Sequence, residues 1–281
     1  MPVGTSSEEA SVLICATCAV EYEQPPPRTC PICSDDRQYL PLAGQRWTGL
    51  DELTAVGQKL TWTDSEPGLI GVGTDPSVGI GQTMYILATP EGSIMWDPIG
   101  YLDDDACARV LALGPVLAIA SSHPHMFGVQ VEWSRRLGNP AVLVATADRE
   151  WLGRRDPVIE FWSGAREITA GVTLYQVGGH FPGSSVLHWA GGAEARGVLL
   201  TGDSVFPNAD RRSVGFMRSY PNNIPLSGSV VERIVTQLEP LGYDRIYGNF
   251  NNSVENDAKA LLRASADRHI AWIRGDFDHL T

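Results

Sequence analysis

Four cysteines stand in two pairs, Cys15-Ala-Thr-Cys18 and Cys30-Pro-Ile-Cys33, with eleven residues between the pairs. Each C-x2-C can fold as a tight knuckle whose thiolates point at one ion, and two knuckles complete a tetrahedron. Pro31 stiffens the second knuckle, and Pro25-Pro26-Pro27 is an extended spacer between them. The alternative, a pair of disulfides, belongs to secreted chains, and the N-terminus MPVGTSSEEA lacks the charged-then-apolar order of a signal peptide. Four thiolates accept structural zinc or redox iron. Zinc is the expectation, because nothing nearby suggests an electron-transfer partner. Cys107, the fifth cysteine, reads as a small apolar residue of a helix.

A second constellation uses imidazole and carboxylate. His123 and His125 lie in SSHPHMFG, His180 in GGHFPGSS and Asp203 in LLTGDS. Three histidines and a carboxylate suit zinc, iron or manganese. His188, His269 and His279 have plainer readings: His188 within a sheet, the other two on the surface.

Positioning these groups falls to strand ends. Val116–Ala120 reads as a buried strand running into His123, Val172–Val177 as a strand before His180, and Val198–Thr201 as one before Asp203. Strand ends are rigid supports, and the glycines beside them let the backbone pass close to an ion. Further strands are predicted at Leu69–Val72, Thr83–Leu87, Ser93–Trp96, Ala141–Ala145, Ser185–Trp189 and Arg245–Tyr247. Helices are predicted at Asp103–Leu113, Phe127–Leu137, Gly228–Leu238 and Val254–Ile273. The last presents Ala258, Leu261, Leu262 and Ser265 on one face. Two β-rich halves, each followed by helices, indicate a layered α/β sandwich.

The order SHPH, GGHFPGSS, LLTGDS resembles the metallo-β-lactamase superfamily over roughly residues 60 to 281. The N-terminal module is similar to a zinc ribbon or a rubredoxin knuckle pair. The resemblance implies an αββα sandwich, with a four-cysteine module at 1–45 and a metallo-β-lactamase-like domain at 46–281. It also implies that His123, His125 and His180 are first-site ligands and that Asp203 is the carboxylate that bridges two metals in binuclear members. The family's fuller motif is His-x-His-x-Asp-His, and its last two residues bind the second metal; here those positions are Phe127 and Gly128. A final ligand, a histidine near Tyr247-Gly248-Asn249-Phe250-Asn251, is also missing. The first-site set is thus intact while the second-site ligands are gone together, which points to a one-metal centre holding Zn2+ or Fe2+. Asn249, Asn251 and Tyr247 are either lining residues or loop structure. Arg211, Arg212, Tyr220 and Asn222 form either a substrate wall or a solvated loop.

One such ion would lower the pKa of bound water and polarise a carbonyl, giving hydrolysis of a small ester, lactone, amide or thioester, with His180 and Asp203 as the catalytic residues and Asp203 orienting the water or accepting its proton. A second reading is an Fe(II) oxygenase, since persulfide dioxygenases of the superfamily bind one iron through positions matching His123, His180 and Asp203. A third is a non-catalytic protein braced by metal.

Composition bounds the partners. The chain of 281 residues carries 21 Lys+Arg against 33 Asp+Glu, a formal charge of −12, which disfavours nucleic acid and anionic membranes. No apolar run approaches the roughly 18 residues of a membrane span. A cytoplasmic protein acting on a small molecule is expected, with its oligomeric state open.

Overall fold

The computed structural model describes residues 12–281. Two sheets form the centre. The first has seven strands in the order Ile159–Trp162, Ala141–Ala145, Val116–Ala120, Gly92–Trp96, Met84–Thr89, Leu69–Asp75, Lys59–Glu66. Its first four strands run parallel and the rest antiparallel. The second has six strands in the order Ala165–Thr169, Val172–Gln176, Ser185–Trp189, Val198–Leu200, Arg245–Tyr247, Ser253–Val254.

Side chains alternate across each strand, so each sheet feeds two apolar layers. Leu87, Ile94, Ala118 and Leu143 of the first sheet meet Leu174, Leu187, Val198 and Leu200 of the second. On its outer face the first sheet offers Ile86, Met95, Ile119 and Val142 to the helices Asp104–Leu111 and Gln130–Arg136. The second sheet offers Val186, Leu199 and Ile246 to Gly228–Leu238 and Ala258–Arg274. The layering is the expected αββα sandwich.

The cysteine module packs against the first sheet's outer layer. It holds a three-stranded sheet, Glu21–Tyr22, Leu13–Cys15 and Trp47–Thr48, and the short helix Pro31–Ser34. Its Ile14, Val20, Tyr22 and Ile32 share one apolar cluster with Met84, Ile99, Phe127 and Trp133. Backbone bonds tie it on: Glu21 N–H donates to the Gly128 carbonyl and Glu23 N–H to that of Gly153, both at 3.0 Å.

Several boundaries differ from expectation. The helix predicted from Phe127 begins at Gln130, because Gly128 adopts φ +51 and breaks the helical path. The helix predicted from Val254 begins at Ala258, since Ser253–Val254 pairs with Ile246–Tyr247 as an edge strand. The strands Lys59–Glu66, Ile159–Trp162 and Ala165–Thr169 were not anticipated; all have exposed residues and sit at or beside sheet edges. Among the described residues no helix is long and apolar enough to cross a membrane.

Candidate metal centres

All four knuckle cysteines are buried and unbridged. Cys15 Sγ lies 3.7 Å from Cys33 Sγ, and Cys18 Sγ 3.7 Å from Cys30 Sγ. A regular tetrahedron with metal–sulfur bonds of about 2.3 Å has an edge of about 3.8 Å, so the sulfurs stand at tetrathiolate spacing. Disulfide bonding would need about 2.0 Å. Gln45 Nε2 donates to Cys15 Sγ at 3.3 Å while its Oε1 accepts the Cys30 N–H at 2.9 Å, and Tyr22 Oη lies 3.1 Å from Cys30 Sγ. Hydrogen bonds from Cys18, Cys30 and Cys33 push the Cys15 thiol down, whereas burial pushes Cys18 up.

The second centre gathers His123, His125, His180 and Asp203, whose donor atoms all lie within 4.8 Å of one another. His123 Nε2 is 3.6 Å and His180 Nε2 3.8 Å from Asp203 Oδ2, and His180 Nε2 is 3.2 Å from His125 Nδ1. The far nitrogens of His180 and His123 are anchored, whereas that of His125, Nε2, is buried without a hydrogen-bond partner. His180 Nδ1 meets the Met217 carbonyl at 3.2 Å, and a carbonyl only accepts, so the proton sits on Nδ1 and the inward Nε2 keeps its lone pair. His123 Nδ1 lies 2.9 Å from Ser122 Oγ.

Burial pushes His180 down to about 4 and holds His123 and His125 well below the ordinary range, with the charge of Arg37 acting in the same direction on all three. The imidazoles are therefore neutral. Burial, and then the charge of Asp97, push Asp203 up to about 7. His123 Nε2 and Asp203 Oδ1 are buried with no hydrogen-bond partner, a costly arrangement in a dry site. Neutral imidazole lone pairs converging on Asp203 Oδ2 fit one divalent transition ion, which would satisfy the unpartnered His123 Nε2.

Local sequence explains the convergence. Gly202, φ +55, precedes Asp203, and a Cβ there would stand 2.3 Å from Ser122 Oγ, so only glycine lets the Asp203 loop close over the His123 support. Ser185 N–H donates to the Ser122 carbonyl at 2.8 Å, joining the two sheets beside the site.

Asp97 is a supporting residue that the motifs did not reveal. It is fully buried, accepts the Ser122 N–H at 2.5 Å through Oδ1, and takes the side-chain amide of Asn249 on Oδ2. Burial pushes it up to about 7 against those hydrogen bonds. Its signal was position: it follows the buried strand Gly92–Trp96 much as Asp203 follows Val198–Leu200.

The positions that the family resemblance assigns to a second metal are put to other uses. Phe127 is buried in the cluster shared with the cysteine module. A Cβ on Gly128 would stand 2.1 Å from the Pro98 carbonyl oxygen, and the Gly128 carbonyl receives Glu21. In the stretch 247–251, Asn249 turns inward to Asp97, Tyr247 packs against Tyr85 at 5.8 Å, and Asn251 is exposed.

The expected substrate wall divides. Tyr220 is half-buried, its ring 6.0 Å from His180, and its hydroxyl donates to the Asp203 carbonyl at 3.1 Å. Asn222 Nδ2 donates to the Asp36 carbonyl at 2.8 Å, not toward the histidines. Arg211 pairs with Glu255 at 3.2 Å, and with Arg212 it lines a surface groove of about 490 Å³ that contains none of the four clustered residues. His188 Nε2 meets the Gly242 carbonyl from within its sheet, and His279 is exposed. His269, expected on the surface, is half-buried: Nε2 meets the Leu226 carbonyl at 2.9 Å and the ring packs on Phe216.

With this geometry in place, the family is defined. The metallo-beta-lactamase superfamily model matches residues 78–248, and the chain belongs to that superfamily. It is 39% identical over 270 residues to the uncharacterized protein YmaE of Bacillus subtilis (strain 168), covering 95% of this chain and 98% of that one. Solved structures share the fold at low identity. The metallo-beta-lactamase FIM-1 from Pseudomonas aeruginosa, in a mono-zinc form, is 13% identical over 74% of this chain and 95% of its own, with a TM-score of 0.52. The flavodiiron protein from Giardia intestinalis is 16% identical with a TM-score of 0.55, over 75% of this chain and 60% of that one. At 13% and 16% identity these likenesses show a shared fold and do not assign a reaction.

Proposed function

We propose that the protein is a mononuclear metal-dependent hydrolase of a small-molecule ester, lactone, amide or thioester. One observation carries the reading: the donor atoms of His123, His125, His180 and Asp203 converge, while Phe127, Gly128 and Asn249 are committed to packing, docking and the Asp97 bond. A single divalent ion held by this set supplies Lewis acidity and acidifies water. The chain's own residues do the rest. His180, fixed by the Met217 carbonyl, keeps its inward lone pair oriented. Asp203 Oδ1, buried and unpartnered, is placed to hold a proton taken from the nucleophile. Phe181, whose ring lies 5.0–5.8 Å from the three imidazoles, and Tyr220 exclude bulk water.

His125 belongs to the cluster, at 3.2 Å from His180, which favours a three-histidine, one-carboxylate set over the two-histidine, one-carboxylate arrangement of the oxygenase reading. A small-molecule partner and zinc at the cysteine site complete the proposal, and the charge of −12 argues against nucleic acid.

The test is metal content per chain with a panel of ester, lactone and thioester substrates, for wild type and His180→Ala. The expectation is two equivalents of zinc falling to one, with hydrolysis lost by more than about a hundredfold and the circular dichroism unchanged. Iron in the histidine site together with oxygen uptake, or hydrolysis that survives the substitution, would overturn the reading.

A further inference from the structure

The loop that orients two of the four clustered residues is gripped from outside by the cysteine module. Met217 supplies the carbonyl that meets His180 Nδ1, and Tyr220 supplies the hydroxyl that meets the Asp203 carbonyl. Between and beside them stand Arg218 and Asn222, and both reach the tetrapeptide that follows the second cysteine knuckle. Arg218 forks onto the Asp36 carboxylate at 2.9 and 3.4 Å, and Asn222 Nδ2 donates to the Asp36 carbonyl at 2.8 Å. The same tetrapeptide touches the centre on another side: the Arg37 guanidinium lies 4.0 Å from the centroid of the Phe181 ring, which packs against all three imidazoles.

From this juxtaposition we infer that Asp36, Arg218 and Asn222 are positioning residues through which the four-cysteine module sets the geometry of the histidine centre. The inference rests on the reading that the histidine cluster holds an ion, and not on the reaction carried out there. The physical reason is the short chain of fixed groups. The helix Pro31–Ser34 is capped by Cys30 and carries Cys33, so the thiolate site fixes its orientation. Asp36 follows three residues after Cys33, and its contacts hold the backbone of Met217 to Asn222. That backbone in turn fixes the His180 tautomer and the height of Asp203. Hydrogen-bond partners one step behind a metal ligand set its affinity, and the partners here stand on a separate structural module.

The experiment measures zinc affinity of the histidine centre by competition with a chromophoric chelator, using the two-site protein with its cysteine site filled. His180→Ala assigns which equivalent belongs to the histidines. Asp36→Arg and Arg218→Asp each break the fork and are expected to weaken that equivalent about three- to tenfold, because the pair is partly exposed. The double swap, Asp36→Arg with Arg218→Asp, is expected to recover most of the loss, which a merely disturbed fold would not do. Asp36→Arg combined with Asn222→Ala is expected to lose more than either alone. Histidine-centre affinity within twofold of wild type in that last variant, or a double swap as weak as the singles, would overturn the inference. A wild-type protein with no second equivalent would overturn the metal reading itself, a result separable from the other two.

Discussion

At the scale of single residues, the buried Asp97–Asn249 pair shows how a site can be supported by groups that touch none of its ligands. Asn249 satisfies one carboxylate oxygen of Asp97, and the other oxygen holds the backbone N–H of Ser122, beside His123. Replacing Asn249 by Ala leaves that oxygen buried and unpaired, at a cost of about 1–3 kcal/mol. The expected result is a lower urea midpoint with an unchanged denaturant slope. What was legible in the sequence at this scale follows from how distinctive each signal is. His123, His125, His180 and Asp203 could be read because paired histidines and glycine-flanked loops at strand ends are rare. Asp97 could not, because one aspartate after an apolar run is commonplace until its neighbours in space are known. In the sequence Arg211 and Arg212 stay open between a wall and a solvated loop, because proximity in chain to Asp203 does not fix where the turn goes; in the fold Arg211 pairs with Glu255.

At the scale of elements, the central strands were legible because they are continuous apolar runs buried on both faces. The edge strand Lys59–Glu66, largely solvent-facing, has no such pattern and is held by pairing with Leu69–Asp75. The short strand Glu21–Tyr22 carries a titratable group that reports on module docking. Glu21 is buried, accepts the Val131 N–H at 2.6 Å and pairs with Arg154 at 2.8 Å, yet burial outweighs Arg154 and pushes its carboxyl up to about 7. The folded state then keeps a proton that the unfolded chain releases near pH 4.3, so this group's contribution to stability falls as pH rises from about 4.3 to about 7, by a few kcal/mol at most. Glu21→Gln is expected to shrink the difference in urea midpoint between pH 5 and pH 8. An unchanged difference would show that Glu21 does not titrate in that window.

At the scale of the whole molecule, the expected boundary near residue 45 separates two motifs but crosses a continuous core, since Ile14, Val20 and Tyr22 pack with Ile99, Phe127 and Trp133. One cooperative unfolding transition is expected by calorimetry, with calorimetric and van't Hoff enthalpies equal. Replacing Cys30 and Cys33 by Ser is expected to lower the temperature of that transition, not to split off a small one. Two resolved transitions would mean that the module melts independently. Gly128→Ala offers the complementary perturbation from the other side of the contact: a Cβ 2.1 Å from the Pro98 oxygen at φ +51 costs on the order of 2–4 kcal/mol.

The contact between Gly128 and Glu21 also bears on which mutational paths are open to this chain. A histidine at 128 would have to displace the Pro98 carbonyl, an aspartate at 127 would enter the apolar cluster, and a histidine at 249 would strip Asp97 of its amide. Each step towards a second ion lowers stability before any ion can repay it, and the first two also loosen the seat of the N-terminal module. A chain acquiring those side chains one at a time therefore passes through less stable intermediates, and the seat of the N-terminal module is among the contacts that the first two steps disturb.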